Sequence, residues 1–310
     1  MAASGGLLTG RTVLLVEIES AYATDPTPTV SANEVEVFGL SIKPVMEKVE
    51  RKPLRASLSP LASTKSKLFW EVTFDTELKN GGTAGTAGRL SPLFRSAGMT
   101  ETVNAGTSVV YTPGNPSGSC TIYVHKDGVL FKATGCRGNF EITCEAGKIP
   151  MIKWTFRGIY NTPTDVALPS PTYEATIGQV AESVAMSLSG FAGHTRSYSI
   201  NMNNVIVDRA SLNSANATVG VVIGSRTPSG KLLMEAELLT TEPTWTEFDA
   251  DTLVTLTAAH GATAGNIVTI TGTTKAQYDS IEPTDENGIF MYDIGFALSG
   301  TDNELTLTLT

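Results

Sequence analysis

The sequence predicts a mainly β protein built from two tandem, related halves, each with one short helix. Three observations predict this. Thr, Ser, Val and Gly recur along all 310 residues, and long helical runs of Glu, Lys, Leu and Ala are missing. Several segments of strand length alternate apolar and polar residues, most clearly KLFWEVTFDTEL at 67–78. There Leu68, Trp70, Val72 and Phe74 share one face while Phe69, Glu71, Thr73 and Asp75 share the other. Finally, the order of strand, short helix, hairpin and closing strand occurs twice along the chain.

The first half, residues 1–165, opens with a strand at Val13, Leu14, Leu15 and Val16. The Pro-rich turn TDPTPT (24–29) follows, then a second strand around 34–40. Residues 43–67, KPVMEKVERKPLRASLSPLASTKSK, carry three prolines and seven basic residues against two Glu. Connections this long without structure of their own are uncommon unless functional, so an extended arm or long hairpin leaving the body is expected. After the strand at 67–78 and the Gly-rich loop at 81–88, RLSPLFRSAG (89–98) predicts a short helix. Ser91 is the expected N-cap, Pro92 the first helical residue and Gly98 the stop. Strands are expected at 108–112, 120–125, 129–135, 138–146 and 151–160. Asp127-Gly128 makes a hairpin turn, because both positions tolerate positive φ. NTPTDVALPSPTYEAT (161–176) reads as a linker.

The second half, residues 166–310, repeats this order. A strand pair is expected around 197–207 and 218–224, followed by the turn TPSG (227–230). KLLMEAELL (231–239) occupies the place of 67–75, TWTEFDADT (244–252) that of the helix, and GIFMYDIGFAL (288–298) that of the first closing strand. Met291 then corresponds to Met151 and Phe296 to Phe156.

Charge separates the halves. Residues 1–165 hold 17 of the 22 Lys and Arg and 15 of the 31 Asp and Glu, a balance of +2, so the second half at −11 carries all of the excess negative charge. Such an acidic surface does not wrap nucleic acid; it repels it. Charged residues make up only 17% of the chain, below the roughly 25% of ordinary soluble proteins, which points to surface covered by partners. The apolar stretch near the N-terminus is too short and interrupted for a signal peptide, and no window reaches the ~20 apolar residues of a membrane helix. Folding in a cytoplasm, without membrane insertion, is the expectation. Cys120, Cys136 and Cys144 are then buried reduced thiols.

Catalytic chemistry is poorly supplied. His125, His194 and His260 are far apart and read as surface or loop residues. The cysteines lack a CxxC pair and a His cluster, so no metal site is expected. Gly82, Gly85 and Gly88 lack the Lys-Ser/Thr ending of a phosphate loop, and Ser229-Gly230-Lys231 runs into a strand. Asp249/Asp251 and Asp285/Glu286 lack calcium-loop spacing and read as a solvated acidic edge. No cofactor is implied.

Three segments, LLVEIESAYATDPTPT (14–29), KPLRASLSPLASTKSKLFWEVTFDTEL (52–78) and RLSPLFRSAGM (89–99), together resemble the tail tube proteins of long-tailed bacteriophages. In that family Glu-x-x-Tyr-Gly-Thr-Asp-Pro precedes the first strands; here it runs from Glu19 to Pro26, with Ala23 in place of the glycine. The family's Pro-Leu-Leu-x-x-x-Gly helix has Phe94 in place of the second leucine. The likeness covers residues 12–160 and reaches the second half through the repeat.

The resemblance implies two tandem tail-tube-like β-sandwich or half-barrel domains, a non-enzymatic structural subunit of the virion tail, and six such domains per ring. Three chains then form one pseudo-hexameric ring. Stacked rings make a hollow conduit for genomic DNA, and tail terminator, tape measure and distal tail proteins are the implied partners. The resemblance places an inter-ring arm at 43–67, where Lys43, Lys48, Arg51, Lys52, Arg55, Lys65 and Lys67 would meet an acidic second half in the next ring. Glu71, Thr73, Asp75 and Glu77, with Glu235 and Glu237, are the lumen-facing candidates. Rival readings are a two-domain β-sandwich decorating a virion or cell surface, a pilus or secretion-tube subunit, and a carbohydrate-active enzyme. The last needs paired carboxylates and exposed aromatics; Trp70 and Trp154 read as core, leaving Trp245 as the one suggestive aromatic.

Overall fold

Strands carry most of the chain. The computed structural model describes residues 6–57, 59–115 and 118–310; Leu58 of the arm lies outside them. The first half contains β1 (Thr12–Ile18), β2 (Glu34–Val35), β3 (Phe38–Val49), β4 (Thr64–Glu77), α1 (Ser91–Ser96), β5 (Met99–Asn104) and β6 (Ser108–Pro113). It ends with β7 (Cys120–Lys126), β8 (Val129–Glu145), β9 (Met151–Tyr160) and β10 (Thr164–Asp165). The second half contains β11 (Ala185–Leu188), β12 (Thr195–Asn201), β13 (Val205–Ala210), β14 (Thr218–Ser225), β15 (Ser229–Glu235) and α2 (Thr244–Asp249). It closes with β16 (Val254–His260), β17 (Val268–Glu286), β18 (Ile289–Leu298) and β19 (Thr306–Leu309).

One antiparallel sheet of eight strands crosses both halves in the order β3–β4–β9–β8–β12–β15–β18–β17. A second layer covers its apolar side. Part of it is β2–β1–β7 and the start of β8. The rest is β11–β16, the start of β17, then β19–β6–β5. The halves are therefore stitched twice, through β8–β12 in one layer and β6–β19 in the other. Between the layers lies a shared core that includes Val72, Phe74, Phe156, Ile142, Ile200, Leu232 and Ile294. Trp70 and Trp154 are both buried in it.

The helix α1 is a packing hub. Phe94 sets its ring 4.8 Å from Tyr111, 5.1 Å from Trp154 and 5.4 Å from Phe140. The helix starts one residue earlier than the expected cap: Leu90, not Ser91, is the N-cap, and no side chain caps it. Ser91 is instead buried within the first turn. Gly98 follows with φ +89°, as a helix stop requires.

Both halves share one pairing order. In the first it is β1–β7–β8–β9–β4–β3; in the second, β11–β16–β17–β18–β15–β12. The strands expected at 129–135 and 138–146 are one strand, β8, bent where its register shifts between Thr134 and Arg137. Gly135 sits at this bulge with φ +61°, and a Cβ there would lie 2.9 Å from the Tyr22 ring. Strand β17 likewise slips between Tyr278 and Ser280. Such bulges let one strand serve two sheets. Asp127 and Gly128 join β7 to β8 with positive φ, as their sequence predicts. Strands β5 and β19 were not foreseen, and His125 and His260 are buried strand residues rather than loop residues.

Candidate assembly surface

The alternation that buries Val72 and Phe74 turns Glu71, Thr73, Asp75 and Glu77 to the opposite face of the eight-stranded sheet. Their partners on β9 are Arg157, Thr155, Lys153 and Met151. The row continues through Asn139, Glu141 and Thr143 on β8 to Asn201, Ser199 and Ser197 on β12. It then passes Lys231 and Leu233 on β15, Asp293 on β18, and Glu282 on β17. This polar face carries more carboxylates than cations. Glu71 is bound by Lys43 at 2.6 Å, and Glu77 accepts the Gly178 N–H at 2.8 Å. Glu235 lies on the same face opposite Met291. Glu237 does not: β15 ends at Glu235, so Glu237 sits exposed beyond the strand.

One end of this face is covered. The β13–β14 hairpin folds over Arg137 and Arg157, which are paired across β8 and β9. Like charges placed so need compensation. Arg157 is 3.1 Å from Asp208 on β13 and lies over the Phe69 ring at 4.3 Å. Arg137 donates to the Val221 carbonyl at 3.0 Å and lies 5.0 Å from the Tyr22 ring, while the Val221 N–H donates to the Tyr22 hydroxyl at 2.7 Å. The second half thus clasps the first with the hairpin inserted between β12 and β15.

The corresponding insertion in the first half, between β3 and β4, projects instead. Strand β4 pairs with β9 only from Phe69 onward, so Thr64–Leu68 and their β3 partners extend beyond the sheet. Lys43 and Lys48 lie on β3, Lys65 and Lys67 on β4, and Arg51, Lys52 and Arg55 on the connecting tip. Lys48 stands directly opposite Lys65. Lys67 pairs with Glu47 at 3.2 Å and Lys52 with Glu50 at 2.8 Å. Among the described residues Lys48, Arg51, Arg55 and Lys65 have no ion-pair partner, and Leu54 at the tip is fully exposed. The projecting hairpin thus presents unmatched positive charge together with a bare leucine.

The sheet also has two open edges. Among the described residues β3 pairs only with β4, and β17 from Tyr278 to Glu286 pairs only with β18. The first edge is basic, with Lys43 and Lys48; the second is acidic, with Asp279, Glu282, Asp285 and Glu286. Each contains one proline, Pro44 and Pro283. Charge and proline are the usual means of blunting an edge in the free subunit.

Titrating groups elsewhere are shifted chiefly by burial. Burial lowers the His260 pKa to about 4; its Nε2 contacts the Tyr198 hydroxyl, and its buried Nδ1 has no hydrogen-bond partner among the described residues. Burial and the neighbouring Glu247 raise the Glu242 carboxyl to about 7. Burial raises the Cys136 thiol, with further contributions from Cys120 directly opposite. All three cysteines are buried and free. Trp245, partly buried, packs against Phe248 and Tyr292. Among the described residues no group of three or more His, Cys, Asp and Glu is placed to hold a metal ion, and no helix is long and apolar enough to cross a membrane.

The fold thus presents a charged sheet face, two open edges of opposite charge and a projecting arm on a β-rich body. The family model described as phage tail tube protein matches residues 9–298, so the chain belongs to the phage tail tube proteins. It is a structural component of the virion tail that self-assembles with other tail proteins into a tube. A search of curated proteins gives no significant match.

Sequence reasoning missed the β17 edge and the polar residues Glu141, Glu282 and Asp293. The signal was present: the repeat sets β17 against β8, and the run IEPTDE (281–286) is polar strand sequence with a proline that suits only an unpaired flank.

Proposed function

We propose that this chain is the repeating subunit of a hollow tail tube in which three copies close each ring, rings stack head to tail, and genomic DNA passes through the lumen without specific binding. One observation carries this reading: a single eight-stranded sheet spans the chain and ends in open edges of opposite charge. Three such sheets, joined edge to edge, remove every free edge and close a wall. The identical pairing order on the two sides of the β8–β12 junction supports an internal duplication, with domains at 1–165 and 166–310. Each chain then supplies two of six equivalent positions.

The polar face forms the lumen in this reading. Glu71, Thr73, Asp75 and Glu77 line it with Glu141, Glu235, Glu282 and Asp293, giving a net acidic wall that lets DNA slide. The arm at 43–67 reaches an acidic second half in the next ring. Tail terminator, tape measure and distal tail proteins complete the tail, and assembly takes place in the host cytoplasm. Negative-stain microscopy of concentrated protein tests the proposal. Rings or tubes of uniform width with threefold symmetry are expected; small isolated particles at every concentration would overturn it.

A further inference from the structure

We infer that the two open edges pair between copies in the register of the internal β8–β12 junction, placing Lys43 opposite Glu282 and Ser41 opposite Thr284. This rests on the ring reading above and specifies its contact. The chain already contains one complete junction between its halves: Asn201 faces Glu141, Ile200 faces Ile142, and Ser199 faces Thr143. The shared pairing order carries this junction outward. Phe156 on β9 corresponds to Phe296 on β18. Phe156 neighbours Val72, whose β3 partner is Ile42. Phe296 neighbours Gly230, whose β12 partner is Ile200. Ile42 therefore occupies the place of Ile200. By the same step Ile152 pairs with Ile142 and Tyr292 with Pro283, so Pro283 occupies the place of Ile142.

The prolines agree with this assignment. In a sheet, proline is accommodated only where its nitrogen turns away from a bonded neighbour. Pro44 pairs with Trp70 on β4 and Pro283 with Tyr292 on β18, so both nitrogens face the open flanks. At the internal junction the corresponding residues are Met202 and Ile142, and Met202 donates its N–H to the Phe140 carbonyl at 3.2 Å. The backbone positions that bond across the internal junction are thus the ones that face outward at the open edges. The open edges reproduce that junction with two donors removed and with charge added: Lys43, already beside Glu71, gains Glu282 on its other side.

Ser41 and Thr284 form a non-hydrogen-bonded pair in this register, with Cα atoms about 4.5 Å apart, within reach of a disulfide. The variant Ser41→Cys/Thr284→Cys, concentrated and oxidised with diamide, is expected to give a ladder ending at a crosslinked trimer on non-reducing gels. Most of the chain should be crosslinked. Ser41→Cys/Glu286→Cys, two residues out of register, should stay at the background of the unsubstituted protein, whose cysteines are buried. Rings or tubes by microscopy with no crosslink, or with the out-of-register pair reacting equally, would overturn the register and leave the ring standing. Neither rings nor crosslinks at any concentration would overturn both.

Discussion

Restoring the two missing donors should strengthen the contact between copies. In Pro44→Val/Pro283→Ile, each substitution returns a backbone N–H to an open flank, and isoleucine is the residue that β8 carries at the corresponding place, Ile142. A protein hydrogen bond contributes a net ~1 kcal/mol, so two per junction contribute about 2 kcal/mol. At ~1.4 kcal/mol per tenfold, the association constant of one junction rises about 30-fold. Sedimentation velocity over a concentration series reads the shift directly. Pro171→Val, in the linker and away from both edges and the arm, is the control and should leave association unchanged. An unchanged or weakened association in the double variant, with its β circular dichroism intact, would refute the assignment of the flanks.

Three further outcomes follow from contacts described above. Lys43→Glu should weaken association, most at low salt where charge is least screened, and Glu282→Lys added to it should restore association; light scattering against salt concentration measures both. Phe94→Ala empties the centre of the ring cluster against Tyr111, Phe140 and Trp154 and should cost ~3–5 kcal/mol, read from denaturant midpoints of the subunit. Burial lowers the folded-state pKa of His260 to about 4, below the ordinary 6.5 of a histidine. Its contribution to stability is fully present above pH 6.5 and is lost as pH falls through 4, because the unfolded chain binds the proton first. The urea midpoint should therefore drop between pH 7 and pH 4.5, and His260→Gln should flatten that drop.

Local chemistry made much of the architecture legible. Alternation placed β4 and β9, Asp127-Gly128 placed the β7–β8 turn, and Pro92 with Gly98 bracketed α1. The polar face was legible for the same reason: Glu71, Thr73 and Asp75 share the period of two that buries Val72 and Phe74. What stayed hidden depended on contacts distant in sequence. Strand β19 has an ordinary Thr-Leu alternation and gains its place only by pairing with β6, some two hundred residues earlier. β8 read as two strands because Gly135 and Gly138 look like a break, whereas the bulge there bends the strand without ending it. His125 and His260 looked exposed because turn residues follow them, but tertiary packing buries both. Ser91 had the chemistry of a cap, yet Leu90 starts the helix one residue sooner. Glu237 fell off the polar face because β15 stops two residues short of it.

The double stitching of the halves has a mechanical consequence. The linker after β9 bears little load, because the β8–β12 ladder and the β6–β19 ladder both cross the boundary it spans. Bending within a chain would have to shear two rows of hydrogen bonds together, so each subunit behaves as a stiff plate. In the stacked-ring tube proposed above, such plates would leave bending to the seams between rings.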